Sequence, residues 1–189
     1  MHPTPPSGWP PAPPSPNPTN CTYSHDDLRD VVRYAAARGI RVVPEFDMPA
    51  HSASWAVGYP FVDIDCGTYS EVPVPLPTYA NVMDPLSDAA FGVIEGFLGE
   101  MAPIFPDHQM HLGMDEVEWT CYNRSAAVRE YIAAHNLKLD DNGFKAVLRQ
   151  FVKKVQGVVT KLGKSSSVWQ EALDKYVKNA RLPIRLKSP

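Results

Sequence analysis

The sequence predicts an α/β fold in which helices cover a parallel β-sheet. Three observations carry that prediction. An amphipathic helical pattern runs directly into a short strand-like stretch three times, which is the αβ half of a βαβ unit. The helices open on Ser or Asp residues suited to capping, and two of them stop at a glycine. A long segment rich in Pro, Tyr and Asp follows the first strand, and a loop of that size is more often functional than filler. Length then limits the architecture. Of the 189 residues 20 are proline, and nine of those fall within residues 1–18. The folded unit therefore has at most about 170 residues, whereas a (β/α)8 barrel takes about 250 and rarely under about 200. Only a partial (β/α)8 barrel fits.

Residues 1–20 read as a disordered, Pro-rich leader of polyproline character. Its Pro10-Pro11-Ala12-Pro13 run has the spacing of an SH3 or WW ligand, and equally that of a plain linker. The folded domain spans 21–180 and a tail 181–189 closes the chain. Order begins at Ser24, where Ser24-His25-Asp26-Asp27 has the form of a capping box. Leu28, Val31, Val32, Ala35 and Ala36 recur at helical spacing, Gly39 supplies a left-handed stop, and 40–46 reads as a β-branched strand. Ser87 caps a second helix through Phe91, Ile94, Phe97, Leu98 and Met101, followed by a strand over 109–113. A short helix is predicted from Ser125 to His135. A longer one opens at Asp140/Asp141, carries Phe144, Val147, Leu148, Phe151, Val152 and Val155 on one face, and stops at Gly163. It leads to a third strand over 167–170.

Eighteen basic and 21 acidic side chains leave a formal net charge of −3. The Lys153/Lys154/Lys161/Lys164 set lies along a helix and reads as a solvated face, so nucleic acid is not an expected partner. No apolar run reaches membrane-spanning length, and the first residues lack the apolar core of a secretory signal. Asn20-Cys21-Thr22 and Asn123-Arg124-Ser125 are glycosylation acceptors in form. Of the three cysteines, Cys21, Cys66 and Cys121, one is left over if a disulfide forms.

In a parallel α/β domain, chemistry collects where strands end. The first predicted strand closes with Glu45, Asp47 and His51, the second with Asp115 and Glu116, and the third with Trp169, Gln170 and Glu171. Two carboxylates and a histidine at one sheet edge suit general acid chemistry, in which one carboxyl protonates a leaving oxygen and another group stabilises positive charge. An indole offers a flat face to a sugar ring. Each residue also has a structural reading: Glu45 and Asp47 as caps or ion-pair partners, His51 as a surface histidine, Asp115-Glu116 as a helix-opening dipeptide, Trp169 as core. His108 and His111 with Asp107 and Asp115 suggest a metal set, but the i,i+3 pair at a loop-to-strand junction is poor ligand geometry. The reading is of no metal and no cofactor.

The words themselves are more specific. Tyr23-Ser24-His25-Asp26-Asp27-Leu28, then Arg38 through Pro44-Glu45-Phe46-Asp47-Met48-Pro49-Ala50-His51, then His111-Leu112-Gly113-Met114-Asp115-Glu116-Val117 and Val168-Trp169-Gln170-Glu171 resemble, in order, the family 20 glycoside hydrolases, the β-N-acetylhexosaminidases. The resemblance implies that 21–180 is a partial catalytic domain covering roughly the third to fifth strand regions of a (β/α)8 barrel. It implies removal of terminal N-acetylglucosamine or N-acetylgalactosamine from glycans with retention, the substrate's own acetamido group acting as nucleophile. Glu116 matches the general acid/base, and Asp115 the carboxylate that orients the acetamide. His51 with Asp47 matches the polar support of the acid, and Trp169 an indole of the acetamide pocket. Cys66 and Cys121 match positions that pair in animal relatives. A lysosomal or secreted location, and a homodimer of the full-length form, are what the family allows. Two positions depart from it, since Ala50 and Met114 stand where glycine is usual. No counterpart is found for the sugar-binding arginine of earlier strands or the tyrosine, aspartate and Trp-x-Glu of later ones. The alternative is therefore a truncated, inactive remnant with weak sugar binding or a Pro-rich interaction role.

Overall fold

The computed structural model describes residues 22–64 and 82–172. The Pro-rich leader, Cys21, Cys66 and the tail lie outside the described residues. Helix α1 (His25–Ala36) starts where the capping box predicts. The Ser24 Oγ accepts the Asp27 amide at 3.1 Å, and the Asp27 carboxylate accepts the Ser24 amide at 2.7 Å. These bonds hold the Asp27 carboxyl below its ordinary value. The remaining long helices are α3 (Asp88–Met101), α5 (Ala126–Ala134) and α6 (Asp141–Lys161), each capped by the predicted side chain: Ser87, Ser125 and Asp140. Among the described residues no helix is long and apolar enough to cross a membrane.

Three strands, β1 (Glu45–Met48), β2 (Gln109–Gly113) and β3 (Ser165–Ser167), form a parallel sheet in the order β1-β2-β3. The first begins later than the predicted 40–46. Pro44 has no N–H to give a ladder, and only its carbonyl joins, accepting His111 N–H at 2.8 Å. Upstream of it, Ile40 is exposed and Arg41 is turned to Asp107 through two bonds of 2.7 and 2.9 Å. The third strand is displaced the other way, to Ser165–Ser167 rather than 167–170. Three serines have little intrinsic strand preference, and pairing with β2 imposes the conformation, Gln109 opposite Ser165 and His111 opposite Ser167. Two short helices, α2 (Ala53–Gly58) and α4 (Trp119–Arg124), lie in stretches where the sequence predicts no helix. The segment after β1 also holds a 3-10 turn at Pro60–Val62 and an antiparallel bridge between Asp63 and Met83.

Strand alternation gives the sheet two unlike faces. Phe46, Met48, Met110 and Leu112 turn to the core, where Phe46 meets Phe97 of α3 edge-on at 4.9 Å. Val147, Leu148, Phe151, Val155 and Val159 of α6 are fully buried, and Phe151 packs on Phe91 at 5.3 Å. Glu45, Asp47 and His111 are left on the other face. At the end of the sheet where the strands begin, Lys164 Nζ donates to the carbonyls of Phe105 and Asp107 at 2.7 and 2.6 Å, clasping β3 to the entry of β2.

Phe151→Ala is expected to cost about 3–5 kcal/mol, because its ring is deleted from a packed site that cannot collapse. Tyr34→Ala, on the exposed side of α1, should change stability by under about 0.5 kcal/mol. Urea midpoints at unchanged m-value measure both.

Candidate active site

Parallel pairing brings the downstream ends of β1 and β2 out on one side of the sheet. Met48 lies opposite Gly113 there, and Met114 N–H donates to the Met48 carbonyl at 3.1 Å. Beyond this point both chains turn sharply. His51, Gly113, Met114 and Glu116 have φ of 56°, 66°, 70° and 51°. Gly113 is required twice over: by its left-handed backbone, and because a Cβ there would overlap the Asp47 carboxylate. Met114 holds a left-handed conformation with a fully buried side chain.

These turns gather four of the predicted residues. His51 Nε2 lies 3.2 Å from Glu116 Oε2 and 3.9 Å from Asp47 Oδ2. The Glu116 side chain is 64% exposed, whereas that of Asp47 is 28% exposed. The Oδ1 atoms of Asp47 and Asp115 are buried and accept no hydrogen bond among the described residues. Burial accordingly raises the Asp47 carboxyl to about 6, with help from the charges of Asp115 and Glu45 and against the pull of His51 and the Met114 amide. Asp115 is raised too, first by burial, then by Glu116 and Glu171, against its own backbone N–H and His51. An open carboxyl held by an imidazole, beside two carboxyls pushed toward neutral pH, can pass a proton to a bound oxygen and steady a positive charge.

Trp169 joins a second group. Its N–H donates to the Gly113 carbonyl at 2.9 Å, its indole N–H donates to Glu45 Oε1 at 2.9 Å, and its ring meets His111 edge-on at 4.8 Å. It is 48% exposed. His111 Nδ1 lies 3.2 Å from Gly113 N and 3.4 Å from Glu45 Oε1. Unprotonated it accepts the amide; protonated it donates to the carboxylate. Of the metal alternative's groups, Asp107 and His111 are engaged elsewhere. Asp107 is bonded by Arg41 and the Gln109 amide, which hold it down at about 2. Among the described residues no group of three His, Cys, Asp or Glu is placed to hold a metal. Cys121 is disulfide-bonded, and its partner lies outside the described residues, as does Cys66.

The model of the glycosyl hydrolase family 20 catalytic domain matches residues 7–186. The chain belongs to that family. Among curated relatives, the human beta-hexosaminidase subunit beta is 33% identical over 158 residues, covering 84% of this chain and 27% of the relative. Beta-hexosaminidase subunit A2 of Dictyostelium discoideum is 32% identical over 155 residues, covering 82% of this chain and 26% of the relative. The GH20 exo-β-N-acetylglucosaminidase from Vibrio harveyi, solved in complex with N-acetylglucosamine, superposes with a TM-score of 0.69 at 28% identity. That fit covers 80% of this chain and 23% of the other. The chitobiase of Flavobacterium johnsoniae gives 0.67 at 26%, covering 80% and 22%. This family 20 chain thus spans about a quarter of the length of the curated relatives it matches.

Sequence reasoning set Glu45 and Glu171 among the strand-end groups of this family 20 chain and weighed His111 for a metal, but gave none of the three a role in the site. Register supplies the missing signal for two of them, since Glu45 and His111 are Cα partners across β1 and β2. Glu171 Oε1 lies 3.2 Å from the Glu116 amide nitrogen, a bond across 55 residues that no local pattern reveals.

Two outcomes are expected. The folded-state pKa of Asp47 lies above its ordinary 3.8, so folding favours the neutral carboxyl. The stability it contributes is complete below pH about 4 and is lost as pH rises through about 6. Asp47→Asn should therefore match the parent in urea titrations at pH 4 and exceed it by about 2–3 kcal/mol at pH 8. Asp115, shifted in the same direction, leaves a slope of the same sign behind. Met114→Gly should destabilise, because emptying a fully buried methionine site costs about 2–5 kcal/mol and relief of a left-handed residue returns only about 1–2.

Proposed function

We propose that this chain is part of a β-N-acetylhexosaminidase that hydrolyses terminal non-reducing N-acetylhexosamine residues of glycans by a retaining, substrate-assisted route. The observation that carries the reading is the approach of His51 to the exposed Glu116 and half-buried Asp47, within the family 20 match. Glu116 protonates the departing glycosidic oxygen and then deprotonates water. The substrate's acetamido oxygen attacks the anomeric carbon, and its tether gives a high effective concentration, so no enzyme nucleophile is needed. Asp115 receives the acetamide N–H and stabilises the cationic oxazolinium-type intermediate. His51, backed by Asp47, orients the acid, and Trp169 supplies an apolar wall to the N-acetyl group. The three parallel strands support a partial (β/α)8 barrel, corresponding to roughly the third to fifth strand regions. Substrates of this class are met in lysosomal or secreted settings, which the disulfide at Cys121 favours.

The reading of a non-catalytic remnant draws on the openness of Trp169. Incubation with 4-nitrophenyl N-acetyl-β-glucosaminide separates the two. Release of nitrophenol, cut by about 100-fold or more in Glu116→Gln, is the expected result. No release from the parent chain, or equal release from the variant, sinks the catalytic reading for these 189 residues.

A further inference from the structure

The turn after β2 holds three left-handed residues in four positions, Gly113, Met114 and Glu116. Non-glycine residues keep such a conformation only where the surroundings over-determine it. One of the turn's peptide groups, Gly113–Met114, is held at both ends by backbone: its Met114 N–H by the Met48 carbonyl, and its Gly113 carbonyl by Trp169 N–H. The third hold is of another kind. The Glu116 amide donates to a side chain, Glu171 Oε1, at 3.2 Å. Glu171 follows Trp169 by two residues, and Trp169 is itself fixed at both its amide and its indole. Its carboxylate is thus presented to the turn from an anchored segment.

We infer that Glu171 is a positioning residue, whose carboxylate fixes the backbone of Glu116 and so the direction in which that side chain leaves the turn. The inference rests on the functional reading above for its catalytic meaning, but not for its geometry. Glu171 does two separable things. As an acceptor it holds an amide, which a glutamine oxygen can also do. As a charge it raises the Asp115 carboxyl, which glutamine cannot do. The other charged groups acting at Asp115 are His51, from the segment after β1, and its own neighbour Glu116. Asp47 of β1 is coupled to it as well. Glu171→Gln, which keeps the acceptor, leaves all of these in place.

The test uses the full chain, isotope-labelled, as parent, Glu171→Ala and Glu171→Gln. Hydrogen exchange at the Glu116 amide should speed up by about fivefold in Glu171→Ala and stay near the parent in Glu171→Gln. The carboxyl carbon of Asp115 should titrate at lower pH in both. On 4-nitrophenyl N-acetyl-β-glucosaminide, Glu171→Ala should lose kcat at nearly unchanged KM, and Glu171→Gln should recover most of it. Unchanged exchange at Glu116 in Glu171→Ala overturns the inference. Glu116→Gln serves as the separate control. If it hydrolyses as fast as the parent, the catalytic reading fails while the exchange result still decides the placement of Glu171.

Discussion

Everything at the site depends on a carboxylate occupying the space where residue 113 would carry a Cβ. With glycine at that position, Asp47 of β1 can lie against the last residue of β2, and the two strands can end side by side. That closeness allows the chain to turn left-handed at once after β2, so that Asp115 and Glu116 emerge beside His51 rather than a strand's width away. A methyl group there would push β1 from β2 or turn the carboxylate away. Either change separates the histidine from both of its acidic neighbours. The constraint is steric, but what it arranges is electrical.

The electrical arrangement is unfavourable to folding. Glu45, Asp47, Asp115, Glu116 and Glu171 converge on a region where Asp47 and Asp115 are partly withdrawn from water. His51 offsets only part of that repulsion. The rest is tolerated because the opposite face of the same strands is packed, Met48, Met110 and Leu112 being fully buried against the helices. Core burial on one side thus sustains a strained, charged constellation on the other, the usual relation between a site and its scaffold.

Much of this was legible in the sequence, and for local reasons. Ser24, Ser87, Ser125 and Asp140 announce helices because a cap needs only its own next three residues. β2 was legible because apolar Met110 and Leu112 alternate with polar neighbours. Asp47, His51, Asp115 and Glu116 were legible as candidates because strand ends are where such residues matter. What could not be read was set by pairing at a distance. Pro44 ends the ladder from one side, and β3 is a strand only because β2 lies beside it. The left-handed backbone at Met114 and Glu116 has no signature in residue types that ordinarily avoid it. The same holds for Trp169, whose indole is turned by a glutamate 124 residues earlier in the chain.

The clasp at the far end of the sheet gives the molecule a polarity along its strands. There Asp107, kept at about 2 by Arg41 and the Gln109 amide, stays ionised in any mildly acidic medium. At the site end Asp47, raised to about 6, takes up its proton in that same medium and sheds its repulsion. Acidification therefore leaves one end of the sheet fastened while it relaxes the other. One end of the sheet is thus indifferent to mild acid and the other is eased by it.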